Sequence, residues 1–444
     1  MPAPAPSSTP SATISATRSA ALLVILGGVA AALHVGKLPP AIGALQATLG
    51  LTLVQAGFLL SMVQAAGMSL GLVFGAWAEA LGLKRSLVMG LVLVSVASAA
   101  GGTAAALEPG MAVPLLLVLR ALEGLGFLMV VLPAPALVRR LVAPGRVNAM
   151  LGVWGAYMPL ATALALLAGP LAVAAFGWAP WWWALAAVTA AMALVVARRV
   201  PDVRLPAPAA ASAASAASAA SAASAASASA APPAGWRARL ARTLSAPGPW
   251  LVATSFAMYS GQWLAVIGFL PVICQQAGLP PGATGVLTAG AAAVNVIGNV
   301  AAGRLLQRGW PAPRLLRIGF VTMALASVVT FAGAASLQAG EGAPAALLTL
   351  RYAAVLLFSM AGGLIPATLF ALAVRLAPGE DTIASTVGWV QQWSAFGQFA
   401  GPPLVAWVAS RAGGWQFTWL ATGGCALMGL LLATLIAARL RRGA

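Results

Sequence analysis

Acidic residues are the scarcest class in this chain, with seven Asp and Glu against 24 Lys and Arg among 444 residues. Charged residues of both signs make up only 7%, where a soluble domain carries about 25%. That shortage excludes a soluble globule. Histidine occurs once, as His34, which excludes a multi-histidine metal site. The two cysteines, Cys274 and Cys425, fall in or beside different apolar runs with no metal spacing around them, and read as packing residues. No Ser/His/Asp set and no phosphate-cradling glycine loop is present, so neither an enzyme nor a cofactor is expected.

What is abundant is apolar: 61% of the residues are hydrophobic. Twelve apolar runs follow one another between residues 20 and 438, each near the ~20 residues that cross a bilayer as a helix. Almost none has a polar face, so buried helices of a large soluble protein do not fit. The expectation is an all-α integral membrane protein with twelve transmembrane helices. The net charge of +17 would suit nucleic acid, but all the basic residues except Lys37, Arg120, Arg351 and Arg411 fall in or beside the turns on one side of this topology. That is the positive-inside pattern, with both termini cytoplasmic in an inner (plasma) membrane. No basic groove with interleaved aromatics exists, so nucleic acid is not a partner and membrane lipid is. Trp178, Trp181, Trp182, Trp183, Trp415 and Trp419 fall near the ends of runs and are expected as interfacial anchors.

Residues 1–17 are a Pro/Ser/Thr/Ala tail expected to be disordered. Residues 18–200 and 247–444 hold six runs each. Residues 201–246 join them as a cytoplasmic Ser/Ala/Pro linker, whose alanines are too weakly apolar to insert. The halves repeat each other at a nearly constant separation. Gly36-Lys37-Leu38-Pro39 returns as Gly268-Phe269-Leu270-Pro271, Arg120 as Arg351, Trp154 as Trp389, and Gly169-Pro170 as Gly401-Pro402. Six plus six helices in one orientation form a parallel repeat, which places a site between the halves near mid-membrane.

The polar residues inside the runs are the candidates for that site. His34 and Lys37 lie three apart on one helix face, followed by Pro39-Pro40, which break the helix. A lysine at bilayer depth costs about 2.5–3.5 kcal/mol on insertion scales, so Lys37 is expected to face a wet cavity. Arg120 and Glu123 lie one turn apart and can neutralise each other, whereas Arg351 has no acid within a turn and is the better ligand candidate. Asn295 with Asn299, Gln391 with Gln398, Gln262 and Tyr157 add amide and hydroxyl groups at helical spacing. For any one amide, interhelical hydrogen bonding is the commoner role than ligand binding; as a set they are what a polar cavity needs.

The turn Gly75-Ala-Trp-Ala-Glu79-Ala-Leu-Gly82-Leu-Lys84-Arg85 resembles the signature loop of the major facilitator superfamily. Glu79 stands where that family usually has Asp, and Ala80 where it usually has Arg. Arg120-Ala-Leu-Glu123-Gly124-Leu-Gly126 is similar to its second motif. The resemblance implies two six-helix bundles, transport by alternating access, a monomer, and a cytoplasmic latch built from Gly75, Glu79, Gly82, Lys84 and Arg85. The family's antiporter signature is absent, since Gly169-Pro170 continues as Leu-Ala-Val. Efflux of small drug-like compounds by proton antiport is therefore the second reading. Met150-Leu-Gly-Val-Trp154-Gly-Ala-Tyr157 and the Gly-Lys-Leu-Pro-Pro stretch are similar to the cyanate/nitrate-like anion branch.

Counting three buried cations against Glu123, the expected cargo is a small anion contacted by Lys37 and Arg351. Arg120, His34, Tyr157, Gln262, Asn295, Asn299 and Gln391 are expected to line its site. Proton-coupled symport is expected, with His34 or Glu123 carrying the proton.

Overall fold

The computed structural model describes residues 10–71, 81–143, 146–202, 236–333 and 344–442. Gly75 and Glu79 of the latch lie outside the described residues, as does most of the Ser/Ala linker. Among the described residues there is no strand, and eleven helical segments are long and apolar enough to cross a membrane. The N-terminal half supplies α1 (Ser19–Leu49), α2 (Leu53–Gly71), α3 (Leu83–Ala106), α4 (Pro109–Leu141), α5 (Tyr157–Phe176) and α6 (Trp178–Arg199). The C-terminal half supplies α7 (Pro247–Gln276), α8 (Pro281–Gln307), α9 (Ala312–Phe331), α10 (Ala346–Arg375), α11 (Ile383–Ala412) and α12 (Trp415–Arg442). Of these only α11 is not apolar enough over a spanning length. It is long enough at 30 residues, but Gln391, Gln392, Gln398 and Pro402-Pro403 dilute it.

Helix boundaries follow backbone chemistry. Gly50, in the left-handed region at φ 63°, ends α1, and Thr52 opens α2 with a capping box to Gln55. Pro109, Pro247 and Pro281 begin α4, α7 and α8, where a missing N–H costs nothing. The first helix starts at Pro10, so residues 10–17, expected in the disordered tail, are helical and continue α1 backward. Their Ser/Ala/Thr composition permits this, with Pro10 at the one helical position that suits it. The linker likewise ends in a short helix, Trp236–Ser245, tied by an ion pair from Arg242 to Asp381 in the turn before α11.

Apolar side chains on the outer surface are exposed rather than buried: Phe176 is 73% exposed, and Leu325, Val286 and Leu427 exceed 60%. A surface of that kind is stable only against lipid. Four of the six tryptophans expected as interfacial anchors (Trp178, Trp181, Trp182 and Trp415) are instead buried, their ring N–H groups or faces used inside the protein. Of the other two, Trp183 is exposed and Trp419 is half-buried.

The halves meet through α2 against α11 and α5 against α8. Gly57 lies against the backbone of Pro402 and Pro403, and Gly285 against the Leu167 carbonyl, approaches that any Cβ would block. Gln64 Nε2 donates to Gln398 Oε1 across the seam at 3.1 Å. One continuous apolar core joins Leu38, Ile42 and Leu60 of the N-terminal half to Val266, Phe269 and Val272. These contacts lie on the side remote from the chain termini. The terminal side of the N-terminal half has its own core, built from Ala20, Val24, Leu83, Leu137 and Val196. Seven residues beyond Gln398 on the same face of α11, and toward the termini, Gln391 is exposed. The seam between α2 and α11 continues toward the termini, where Gly67 lies against Ala395 and Gly71 against Gln392.

Candidate functional site

The site begins at the break in α1. Helix stops at Gly36, and Pro39–Ala41 continues as a tight 3₁₀ turn before a second helix, Ile42–Leu49. A break inside a membrane leaves carbonyls without partners unless protein supplies donors. Arg120 Nη1 donates to the His34 carbonyl at 2.6 Å, and Trp181 Nε1 donates to the Lys37 carbonyl at 3.0 Å. Arg120 Nε also holds the Leu59 carbonyl of α2 at 3.1 Å. Gly124 lets α4 approach close enough for this, because its Cα lies directly against the Val63 carbonyl.

The side chains at the break form a closed network. Lys37 has three N–H donors, and all three are used: Glu123 Oε1 at 2.5 Å, Ser98 Oγ at 2.8 Å and His34 Nδ1 at 3.3 Å. The Trp182 ring covers the ammonium at 4.7 Å. The other oxygen of Glu123 accepts from Arg120 Nη1 at 2.6 Å. One carboxylate therefore bridges two cations. Lys37 and His34 are 0% exposed, Arg120 and Glu123 1%.

The same network assigns the tautomer of His34. An ammonium cannot accept, so Nδ1 is the acceptor and Nε2 carries the hydrogen. Nε2 lies 2.8 Å from Thr189 Oγ1, whose own hydrogen goes to the Leu185 carbonyl at 2.9 Å. A second proton on His34 would set two cations 3.3 Å apart.

Lys37 was expected as an unpaired cation in a wet cavity, but it is ion-paired, saturated and enclosed within the N-terminal bundle. The reason is Glu123, which sits one turn from Arg120 and within reach of α1. Even so the cluster carries one negative charge against two positive, and Arg120 Nη2 has no hydrogen-bond partner among the described residues.

Arg351 stands apart from this cluster. It is buried in α10, with Nη2 donating to the Ala332 carbonyl at 3.2 Å and with Nε and Nη1 unpartnered among the described residues. Asn295 donates to Tyr259 Oη at 3.0 Å and to the Ser359 carbonyl at 2.8 Å, and Asn299 donates to Asn295 Oδ1 at 2.9 Å. This second polar network lies wholly in the C-terminal bundle. Gln262 returns its amide to Met258 in its own helix, leaving its oxygen buried and unpartnered among the described residues. Tyr157 stacks on Trp154 with ring centres 4.3 Å apart. Of the latch residues, Gly82 opens α3 at φ 96°, with Lys84 half-buried and Arg85 exposed beside it.

Sequence reasoning therefore gathered His34, Lys37, Arg120 and Glu123, and missed Ser98, Thr189, Trp181 and Trp182, which complete their network. Only the crowding of four tryptophans at 178–183 could have pointed to the last two.

The profile described as Major Facilitator Superfamily matches residues 24–402. No curated protein sequence matches the chain. Among solved structures, the chain is similar to a bacterial homolog of the human lysosomal transporter Spinster, in an inward-facing and occupied conformation. The TM-score is 0.74 at 13% identity, over 95% of this chain and 97% of that one. It is also similar to a D-xylose–proton symporter, with a TM-score of 0.68 at 16% identity, over 94% of this chain and 97% of that one.

Proposed function

The chain belongs to the Major Facilitator Superfamily, and from that premise we propose that it is a proton-coupled symporter of a small anion, working by alternating access. That it is a multi-pass membrane transporter rather than an enzyme follows from the family and the shared fold. The anion and the proton rest on one observation: the single carboxylate of Glu123 bridges Lys37 and Arg120 in a fully buried cluster with net charge +1.

Protonating Glu123 would remove the only negative charge and leave two buried cations facing each other. That state is costly in a low-dielectric interior unless an anion replaces the carboxylate. An anion, conversely, has no free donor on Lys37 until Glu123 lets go. Each ligand thus favours the other's binding, which is the reciprocal coupling that symport requires. Arg120 Nη2, already without a partner, is the first donor the anion meets. Lys37 follows once released, with His34 supporting it from behind.

Arg351, Gln262, Asn295, Asn299 and Gln391 of the second half, with Tyr157 of the first, would complete the path as the halves rock. On this reading the terminal side is the cytoplasm, the membrane is the inner (plasma) membrane, the halves 18–200 and 247–444 are the moving bodies, α11 is the twelfth span, and the working unit is a monomer. Gly75, Glu79, Gly82, Lys84 and Arg85 would form the cytoplasmic latch.

The test is uptake by purified protein in proteoliposomes, screening labelled inorganic anions and small carboxylates under an imposed inward proton gradient. The expected result is gradient-driven anion uptake, abolished by Glu123→Gln, with counterflow exchange persisting in the wild type. Uptake of cations and no anion, or substrate movement opposite to the proton, would overturn the reading.

A further inference from the structure

We propose that the terminal face of the C-terminal bundle carries a binding site for an anionic phospholipid, between the short helix Trp236–Ser245, the first turn of α7 and the last turns of α12. These elements enclose an open cavity of about 550 Å³. Its floor is apolar, made by Trp250, Leu251, Leu435 and Ala438, and its rim is Arg439 and Arg442.

Arg439 and Arg442 lie three apart on one face of α12 and are exposed. Among the described residues the ion pairs are those of Lys37, Arg120 and Arg242, so neither rim arginine is engaged by an acid. The nearby Arg242 is already taken by Asp381. The first turn of α7 closes the same wall, with Pro247 opening the helix there. The rim is therefore built for negative charge, and guanidinium groups match phosphate geometry well.

The floor argues for a lipid over a free ion. Leu435 is 46% exposed and Trp250 36% exposed, although both line the cavity. Trp250 is held in place by its ring N–H on the Leu244 carbonyl at 2.8 Å. From Arg442 back to Leu435 is seven residues, about 10 Å along the helix. That run takes a headgroup phosphate at one end and the start of an acyl chain at the other. Basic pockets between membrane helices on the positively charged side bind anionic headgroups by this arrangement. The site is remote from Glu123 and does not depend on what is transported.

The experiment uses full-length protein in a neutral detergent, titrated with dioleoylphosphatidylglycerol and read as lipid adducts by native mass spectrometry. Dioleoylphosphatidylcholine and inorganic phosphate serve as the other probes. Phosphatidylglycerol is expected to bind in preference to phosphatidylcholine. Arg439→Gln/Arg442→Gln is expected to weaken it roughly thirty-fold, as two interfacial cations would. Arg439→Lys/Arg442→Lys, which keeps the charge, should retain most of the binding. Arg198→Gln/Arg199→Gln, on the same face of the other bundle, should leave it unchanged. Equal binding of the two lipids would overturn the proposal, as would equal loss in the Arg198/Arg199 variant. Complete displacement by millimolar inorganic phosphate would show a free-anion site, and would overturn it too.

Discussion

Replacing Glu123 by Gln tests the carboxylate bridge directly, because it deletes one charge and leaves the shape of the side chain. In the wild type Glu123 lies 2.5 Å from Lys37 Nζ and 2.6 Å from Arg120 Nη1, with all three side chains at most 1% exposed. Removing the shared partner strands two cations in the interior. Breaking a buried pair in this way costs about 3–5 kcal/mol. For a bundle of the size of the N-terminal half, each kcal/mol shifts the melting temperature by roughly 2–4 °C, so a fall of about 10 °C is expected. The second variant, Lys37→Met/Glu123→Gln, removes one stranded cation and should melt well above Glu123→Gln alone, a non-additivity expected of residues in one network. Thermal unfolding in detergent, followed by the fluorescence of the fifteen tryptophans, reads both. If Glu123→Gln melts within about 2 °C of the wild type, or if the double variant gains nothing over it, the bridge does not hold the bundle core as described.

Two further outcomes follow from the same geometry. Trp181→Phe keeps the ring but strips the donor from the Lys37 carbonyl at the α1 break; a loss of about 1–3 kcal/mol is expected by the same melting assay, and an unchanged melting temperature would mean that the break is satisfied in some other way. Gln64→Cys/Gln398→Cys places a thiol pair where an amide–amide hydrogen bond now crosses the seam, so oxidation should link α2 to α11 and stop uptake until a reductant is added. Continued uptake by the linked protein would show that the seam does not open during transport.

The architecture was legible because its causes are local and repeated. Long apolar runs, an excess of arginines at alternate turns, and prolines or glycines at helix ends act through each residue's own transfer energy and backbone preference. The repeat of Gly36–Pro39 at Gly268–Pro271 and of Arg120 at Arg351 extended this to two matching halves. The break after Lys37, and the pairing of Arg120 with Glu123 one turn on, were readable for the same reason, being set by spacing within a single helix.

What joins different helices was not readable in that way. The sequence by itself determined that ionisable side chains enter the membrane at His34, Lys37, Arg120, Glu123 and Arg351, because each lies inside an apolar run. Only the tertiary structure decided that Glu123 closes on Lys37 from another helix, that Ser98, Thr189 and Trp182 complete the network, and that Arg351 stays outside it. Tryptophans expected at the lipid boundary turned inward for the same cause: the rotation of each helix about its axis is set by packing against neighbours, and an apolar sequence with no polar face does not encode it.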